Sequence, residues 1–249
     1  INRLKAHSDH RYYKTLTEAI SKVQMTWRRS LNGEWLFNYS ENVMERPVGF
    51  EALNFNCQNF NRIHVPGHIQ LQGYDKPHYV NAQYPWDGHE ELVPPYIPTT
   101  FNPTASYVTY FEVPKEWEGQ TVCISFQGVE TAFNVWCNGE FVGYSEDSFT
   151  PSEFDLTNFI NREGENKLAV QVYKWSTGSW LEDQDFWRLS GIFRDVYLFT
   201  KPTTHVEDLF VKTTLKNDYQ DATVSVDFKV IGQEATIVSQ LVDANGQVV

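Results

Sequence analysis

After residue 30 the chain contains many short segments in which apolar and polar residues alternate with a period of two. The first alternating run, Glu34–Tyr39, follows a turn at Asn32-Gly33. This pattern is typical of a strand with one buried and one exposed face. Residues 1–30 are polar and irregular. We therefore expect an extended arm there, with one short helix around Thr17–Met25.

The clearest strand signals lie between residues 106 and 199. Asn138-Gly139 is a pair favoured by two-residue type I′ hairpins, which need positive φ at both positions. The predicted strands are Glu34–Tyr39, Arg62–Val65, Ser106–Val113, Gln120–Phe126, Thr131–Cys137, Glu140–Tyr144, Lys167–Trp175 and Ile192–Phe199. About eight strands with little helix predict an all-β fold, a double-sheet jelly roll.

A second, shorter set of alternating segments follows a linker-like stretch at Lys201–Thr204. Strands are predicted at His205–Leu215, Ala222–Ile231 and Thr236–Val242, and Asn245-Gly246 predicts a further hairpin. An immunoglobulin-like sandwich needs about seven strands. We therefore expect residues 205–249 to be the incomplete start of such a sandwich: either the chain is a fragment, or strands of a partner complete the sandwich.

Prolines interrupt the alternation between Phe50 and Pro103. A connection this long is usually functional. It contains a polar insert, Gly73–Pro85, in which Asn81 lies among tyrosines. The asparagine amide has two donors and an acceptor, which suits vicinal hydroxyl groups. An ordinary turn asparagine is the alternative interpretation.

The segment Ser179–Arg188 combines three acids, one arginine and three large rings but has neither helical nor strand periodicity. We interpret it as a loop. Arg188 could simply neutralise Glu182 or Asp183. The segment would then be a structural loop whose charges form an internal ion pair. Alternatively, Asp185 accepts hydrogen bonds from sugar hydroxyls or binds a hard cation, with the rings forming a wall or packing in the core.

Composition narrows the function classes. A net charge of −12 disfavours nucleic-acid partners, and no apolar run is long enough for a membrane span. The first residues lack the apolar core of a signal peptide. Cys57, Cys123 and Cys137 have no metal-ligand spacing, so we expect buried free thiols and a reducing, cytoplasmic setting.

Several catalytic arrangements are disfavoured by the residues themselves. There is no Gly-x-Ser-x-Gly nucleophile motif and no glycine-rich phosphate loop. His64 and His68 are four residues apart, but the intervening Pro66-Gly67 prevents the helix that would direct both at one metal. Acids as close in sequence as those at 182, 183 and 185 rarely face each other across a sugar ring.

A series of motifs occurs in one register from about Asn2 to Lys201. The series includes Leu31-Asn32-Gly33-Glu34-Trp35, Tyr79-Val80-Asn81, Trp136-Cys137-Asn138-Gly139, Leu181-Glu182-Asp183-Gln184-Asp185 and Gly191-Ile192-Phe193-Arg194-Asp195-Val196. It resembles the amino-terminal part of the large multidomain β-galactosidases of glycoside hydrolase family 2, and the likeness continues loosely into the second unit.

This resemblance implies an arm (1–30), a jelly-roll sugar-binding domain (31–201) and the start of an immunoglobulin-like domain (205–249). The family's catalytic (β/α)8 barrel, with its nucleophile and acid/base glutamates, would lie outside this chain. The resemblance therefore implies no catalytic residue here and an inactive fragment. The parent enzyme would be a retaining hydrolase of terminal β-D-galactosides such as lactose.

Carried over by position, Asn81 and Asp185 match the two residues that this domain contributes to the galactose subsite. The matching aspartate also shares a sodium ion with barrel residues, and magnesium is expected in the barrel. A further magnesium site of one family member uses a glutamine and an aspartate, where this chain has Glu146 and Thr177.

The expected partners are a β-galactoside substrate, the remaining domains of the parent enzyme and further subunits of an oligomer. A free-standing carbohydrate-binding module and a purely structural docking domain are the alternatives.

Overall fold

The computed structural model describes residues 1–21 and 25–249, which divide into two compact units. The larger unit comprises Ile1–Ala6 and Tyr12–Thr200, and the smaller comprises His7–Arg11 and Lys201–Val249. The domain bounds predicted from the sequence (1–30, 31–201 and 205–249) stay a prediction.

Strands account for 38% of the residues and helices for 8%, which confirms the all-β class. The helical segments are α1 (Leu16–Ser21) and 3₁₀ turns at Val43–Glu45, Ile69–Gln72, Lys115–Trp117 and Thr177–Trp180. The strands are β1 (Arg28–Ser30), β2 (Gly33–Ser40), β3 (Asn61–Val65), β4 (His78–Val80), β5 (Thr104–Phe111), β6 (Val122–Phe126), β7 (Val129–Glu130), β8 (Ala132–Cys137), β9 (Glu140–Ser145), β10 (Ser152–Asp155), β11 (Asn166–Tyr173), β12 (Phe186–Arg188), β13 (Gly191–Ile192), β14 (Val196–Thr200), β15 (His205–Lys216) and β16 (Asp221–Ile231).

Two antiparallel sheets form the larger unit. One has the order β3-β2-β5-β11-β8-β9 and the other β1-β14-β6-β10. Alternate residues of their strands, such as Trp35 and Phe37 of β2 and Phe126 of β6, meet in one buried core cluster. The type I′ turn is confirmed, because Asn138 and Gly139 have φ values of 54° and 87°. The three cysteines are buried thiols, as predicted.

Several predicted elements differ from the structure. The strand predicted at Ile192–Phe199 is interrupted, because the chain leaves the β13–β7 ribbon after Ile192 and joins the four-stranded sheet at Val196. The predicted helix is present at Leu16–Ser21, and part of the predicted segment lies outside the described residues. No helix among the described residues is long and apolar enough to cross a membrane.

The smaller unit contains the antiparallel pair β15–β16, joined through residues 217–220. The third strand predicted there, Thr236–Val242, is wrong: the described residues form only an isolated bridge between Val242 and Val248. The residues of this predicted strand are exposed, so their apolar side chains have no buried surface to pack against. At Asn245-Gly246, where a hairpin was predicted, the chain turns with a hydrogen bond of 3.0 Å from Gly246 N to Asp243 O, and the flanking residues pair only through that isolated bridge.

Candidate functional site

Strands β4 and β12 pair with each other in a two-stranded ribbon of their own. Their antiparallel register sets Val80 opposite Phe186, and Tyr79 opposite Trp187. The sequence predicted neither strand, and the interpretation of Ser179–Arg188 as an irregular loop was wrong in its second half. Strands of three residues are too short to show a period of two.

The two predicted sugar-binding residues meet at one end of this ribbon. Asn81 directly follows β4 and Asp185 directly precedes β12, so the register places them opposite each other. Both residues are exposed. The Tyr79 hydroxyl donates a hydrogen bond of 2.6 Å to Asp185 Oδ1, and this bond raises the pKa of Tyr79. One carboxylate oxygen of Asp185 is thereby fixed in place.

The ribbon has one exposed face and one that faces the protein. Side chains alternate along each strand, so Tyr79, Asn81, Asp185 and Trp187 share a face. All four are exposed, whereas Arg188 on the other face is buried. The rings of Tyr79 and Trp187 lie 5.4 Å apart between centroids. The exposed face therefore combines an amide, a carboxylate and two aromatic rings.

The remaining acids of the segment are held by protein groups. Arg188 donates to Asp183 Oδ1 at 2.5 Å and to the carbonyls of Glu182 and Gln184 at 2.8 and 2.7 Å. Glu182 accepts a hydrogen bond of 2.6 Å from Ser148 Oγ. Partial burial raises the pKa of Asp183, and the guanidinium of Arg188 opposes this shift. The interpretation as a structural loop with an internal ion pair therefore holds for Asp183, while Asp185 faces outward.

The three rings of the segment have different roles. Trp187 belongs to the exposed face, whereas Trp180 packs against Tyr84 and Trp86 with centroid distances of 4.4 and 4.9 Å. Phe186 lies beneath the Arg188 guanidinium, 4.5 Å from its ring centroid. Contacts with neighbouring side chains thus account for two of the rings, which are half-buried, and Trp187 is the most exposed of the three.

Sequence reasoning missed Tyr79 as a member of the site, whereas Trp187 was one of the three rings expected to form a wall or to pack in the core. Each lies two residues from a predicted residue, Tyr79 before Asn81 and Trp187 after Asp185. In an extended chain, residues at this spacing point to the same side. The i, i+2 spacing was the available signal, and it becomes meaningful only once both segments are known to be strands.

The positions compared with a magnesium site are in contact with each other. Glu146 accepts hydrogen bonds from the Thr177 hydroxyl, from Gly178 N at 2.9 Å and from the Tyr144 hydroxyl at 2.7 Å. Protein donors therefore satisfy this carboxylate. Among the described residues, no group of three or more His, Cys, Asp or Glu side chains could hold a metal ion.

A family model described as the sugar binding domain of the glycosyl hydrolases of family 2 matches residues 28–202. The chain belongs to this family. The match covers both sheets of the larger unit and the β4–β12 ribbon.

Similar proteins carry names that agree with the family. A β-galactosidase of Halalkalibacterium halodurans is 57% identical over all of this chain, and one of Clostridium acetobutylicum is 55% identical over 99% of it. The sugar-binding domain and the residues after it span only 25% and 27% of those two proteins. A β-galactosidase large subunit of Leuconostoc lactis is 44% identical, and the chain covers 41% of it.

Among solved structures, a β-glucuronidase from an uncultured Clostridium species has a TM-score of 0.65 at 23% identity. The alignment covers 91% of this chain and 38% of that protein. This likeness supports the fold alone.

Proposed function

We propose that the chain is the sugar-binding part of a retaining β-galactosidase that hydrolyses terminal β-D-galactosides such as lactose. The observation that carries the proposal is the exposed ribbon face, on which Asn81 and Asp185 stand side by side next to two rings. The names of the relatives support the substrate class. The catalytic acids would come from a (β/α)8 barrel outside this chain.

The chemistry of this face suits a galactose ring. The Asn81 amide can donate to one hydroxyl and accept from its neighbour, and the ionised Asp185 accepts without donating. The Tyr79 hydrogen bond to Oδ1 of Asp185 orients the second oxygen of the carboxylate. The half-exposed rings offer an apolar surface for the C–H groups of a sugar.

The proposal includes a sodium ion shared between Asp185 and residues of the barrel. An exposed carboxylate oxygen is a suitable ligand for a hard cation. The described residues offer only part of a shell there, so the other oxygen ligands would have to come from outside the chain. Magnesium in the barrel, an oligomeric parent enzyme and a cytoplasmic location belong to the same proposal, and the three buried thiols support the location.

Two other functions would use the same fold. A free-standing carbohydrate-binding module would bind galactose or lactose without further domains, and a docking domain would bind neither. Titration calorimetry of the 249-residue chain with lactose separates the two. Saturable binding by the isolated chain would favour the module. We expect weak or undetectable binding, because the proposed subsite needs barrel residues.

The decisive experiment is Asp185→Asn in the full-length enzyme. Asparagine keeps the shape but loses the charge, and a charged hydrogen bond contributes about 1.5–3 kcal/mol. We expect kcat/KM to fall at least roughly tenfold, with weaker activation by sodium. Asp183→Asn is the matched control, since Asp183 binds Arg188. Equal losses of activity and thermal stability in both variants would show that the segment is structural.

A further inference from the structure

The side chain of Lys174 is a buried cation next to the base of the ribbon. It is 3% exposed, and its ammonium group forms an ion pair with Asp75. The carbonyl of Lys76 lies 3.4 Å from the same nitrogen. The Asp75 carboxylate offsets the hydration that the ammonium group loses on burial. Asp75 and Lys76 belong to the segment that leads into β4, so Lys174 holds that segment.

Gln70 extends the contact to the second strand of the ribbon. Its amide nitrogen donates to Asp75 Oδ2 and to Ser190 Oγ, both at 2.8 Å, and its Oε1 accepts from Ser190 N at 2.9 Å. Ser190 follows β12 by two residues, and Asp75 precedes β4 by three. These bonds therefore join the two strands at the end of the ribbon opposite Asn81 and Asp185.

Lys174 is itself attached to the larger sheet. It directly follows β11, which pairs with β5 on one side and β8 on the other. Its backbone N donates to Pro103 O at 3.0 Å. The ion pair thus connects the base of a short ribbon to an interior strand of the six-stranded sheet.

We propose that Lys174 is a positioning residue for the sugar-binding face, acting through Asp75 and Gln70. This inference rests on the proposed function of Asn81 and Asp185. Without the ammonium group, the base of the ribbon loses its ion pair with the residue that follows β11, while both sheets keep their own pairing. The far end of the ribbon, with Asn81 and Asp185, then shifts relative to the sheets.

The test is Lys174→Met in the full-length enzyme, assayed with a β-galactoside well below the thermal transition. A displacement of about 1 Å can reduce catalysis roughly a hundredfold. We expect kcat/KM to fall by roughly tenfold to a hundredfold, with a rise in KM, because the shifted residues bind the sugar before and during the reaction. Lys174→Arg, which keeps the charge, should recover most of the loss.

Lys167→Met is the matched control. Lys167 is a buried lysine at the opposite end of β11, and its ammonium group donates to the carbonyls of Phe50 and Ala52 at 2.8 and 2.6 Å. Eight residues of strand separate the two ends by roughly 25 Å. We expect this variant to lose thermal stability but keep its KM. Equal effects on KM in both variants would overturn the positioning role.

A double-mutant cycle separates this inference from the proposed function. If Lys174 positions Asp185 together with Asn81, Lys174→Met should reduce kcat/KM by a smaller factor in the Asp185→Asn background than in the unmodified enzyme. Fully additive losses would refute the inference. Normal kcat/KM in Asp185→Asn would refute the proposed subsite, whereas an impaired Asp185→Asn beside a normal Lys174→Met would refute only the positioning role.

Should Lys174→Met show no cooperative thermal transition, Ser190→Ala tests the Gln70 link through which Lys174 is proposed to act. It removes one hydrogen bond to Gln70 and keeps the ion pair. We expect KM to rise about threefold, and an unchanged KM would contradict the inference.

Discussion

Replacing Arg188 with methionine would remove the group that holds the turn before β12 while keeping a long apolar stem. The guanidinium side chain is 5% exposed and pairs with Asp183, whose side chain is 21% exposed. Breaking a buried ion pair by removing one partner costs about 3–5 kcal/mol. Water reaches part of the Asp183 carboxylate, so we expect the lower end, about 3 kcal/mol.

Urea unfolding of the 249-residue chain measures this loss. All eight tryptophans lie in the larger unit, so their emission follows that unit alone. Arg188→Lys should cost less than methionine, because it keeps the charge but cannot reach two carbonyls and a carboxylate together. A loss below about 1 kcal/mol for Arg188→Met would refute the reasoning.

Asp183→Asn in the Arg188→Met background provides the second check. It removes the carboxylate that the first substitution left without its cation. We expect the double variant to recover about 1 kcal/mol relative to the sum of the single losses. Strictly additive losses would show that the guanidinium stabilises the turn through its carbonyl contacts rather than through the ion pair.

Three further predictions concern other properties of the chain. Burial raises the pKa of Glu130 to about 8, the Glu182 carboxylate adds to the shift, and Arg188 and Lys174 oppose it. The folded state keeps this proton where an unfolded glutamate loses it, so stability falls as pH rises from 4.5 to 8. Glu130→Gln should therefore raise stability by roughly 3 kcal/mol at pH 7 in urea unfolding and not at pH 4. Thiol titration in denaturant should give three thiols per chain, and one would reveal a disulfide. The isolated chain should not hydrolyse a nitrophenyl β-galactoside, and turnover abolished by Asp185→Ala would contradict this.

Alternation predicted most of the sheet framework because long strands repeat it several times. β5, β8 and β11 each run for six residues or more, and their predicted bounds differ from the structure by one or two residues at most ends. β7 and β13 have two residues each, too few to show a period, and the structure forms them where the chain changes sheets. The sequence therefore predicted the long strands of the two sheets better than the short strands at which the chain passes from one sheet to the other.

At the candidate site, too, the sequence predicted the residue types but not the contacts between distant segments. Asn81 and Asp185 were selected by residue type and by the family resemblance, and nothing in their spacing predicts that they meet. The role of Lys174 was hidden for another reason. It lies at the end of a predicted strand, and its partner Asp75 is far away in sequence in a proline-rich segment. Contacts of this kind are decided by tertiary packing.

An isolated two-stranded ribbon with three residues per strand has too few hydrogen bonds and too little buried area to be stable alone. The β4–β12 ribbon is held from outside, by Lys174 and Gln70 at its base and by Arg188 on its buried face. Two buried cations are a costly way to secure a short element, since apolar residues of similar volume often stabilise equally well. Hydrogen-bonded ion pairs, however, fix direction as well as proximity, above all through the planar guanidinium of Arg188, because hydrogen bonds weaken steeply when the partner moves out of line. The proposed sugar-binding face needs that directional control, and the strand propensities of these six residues cannot supply it.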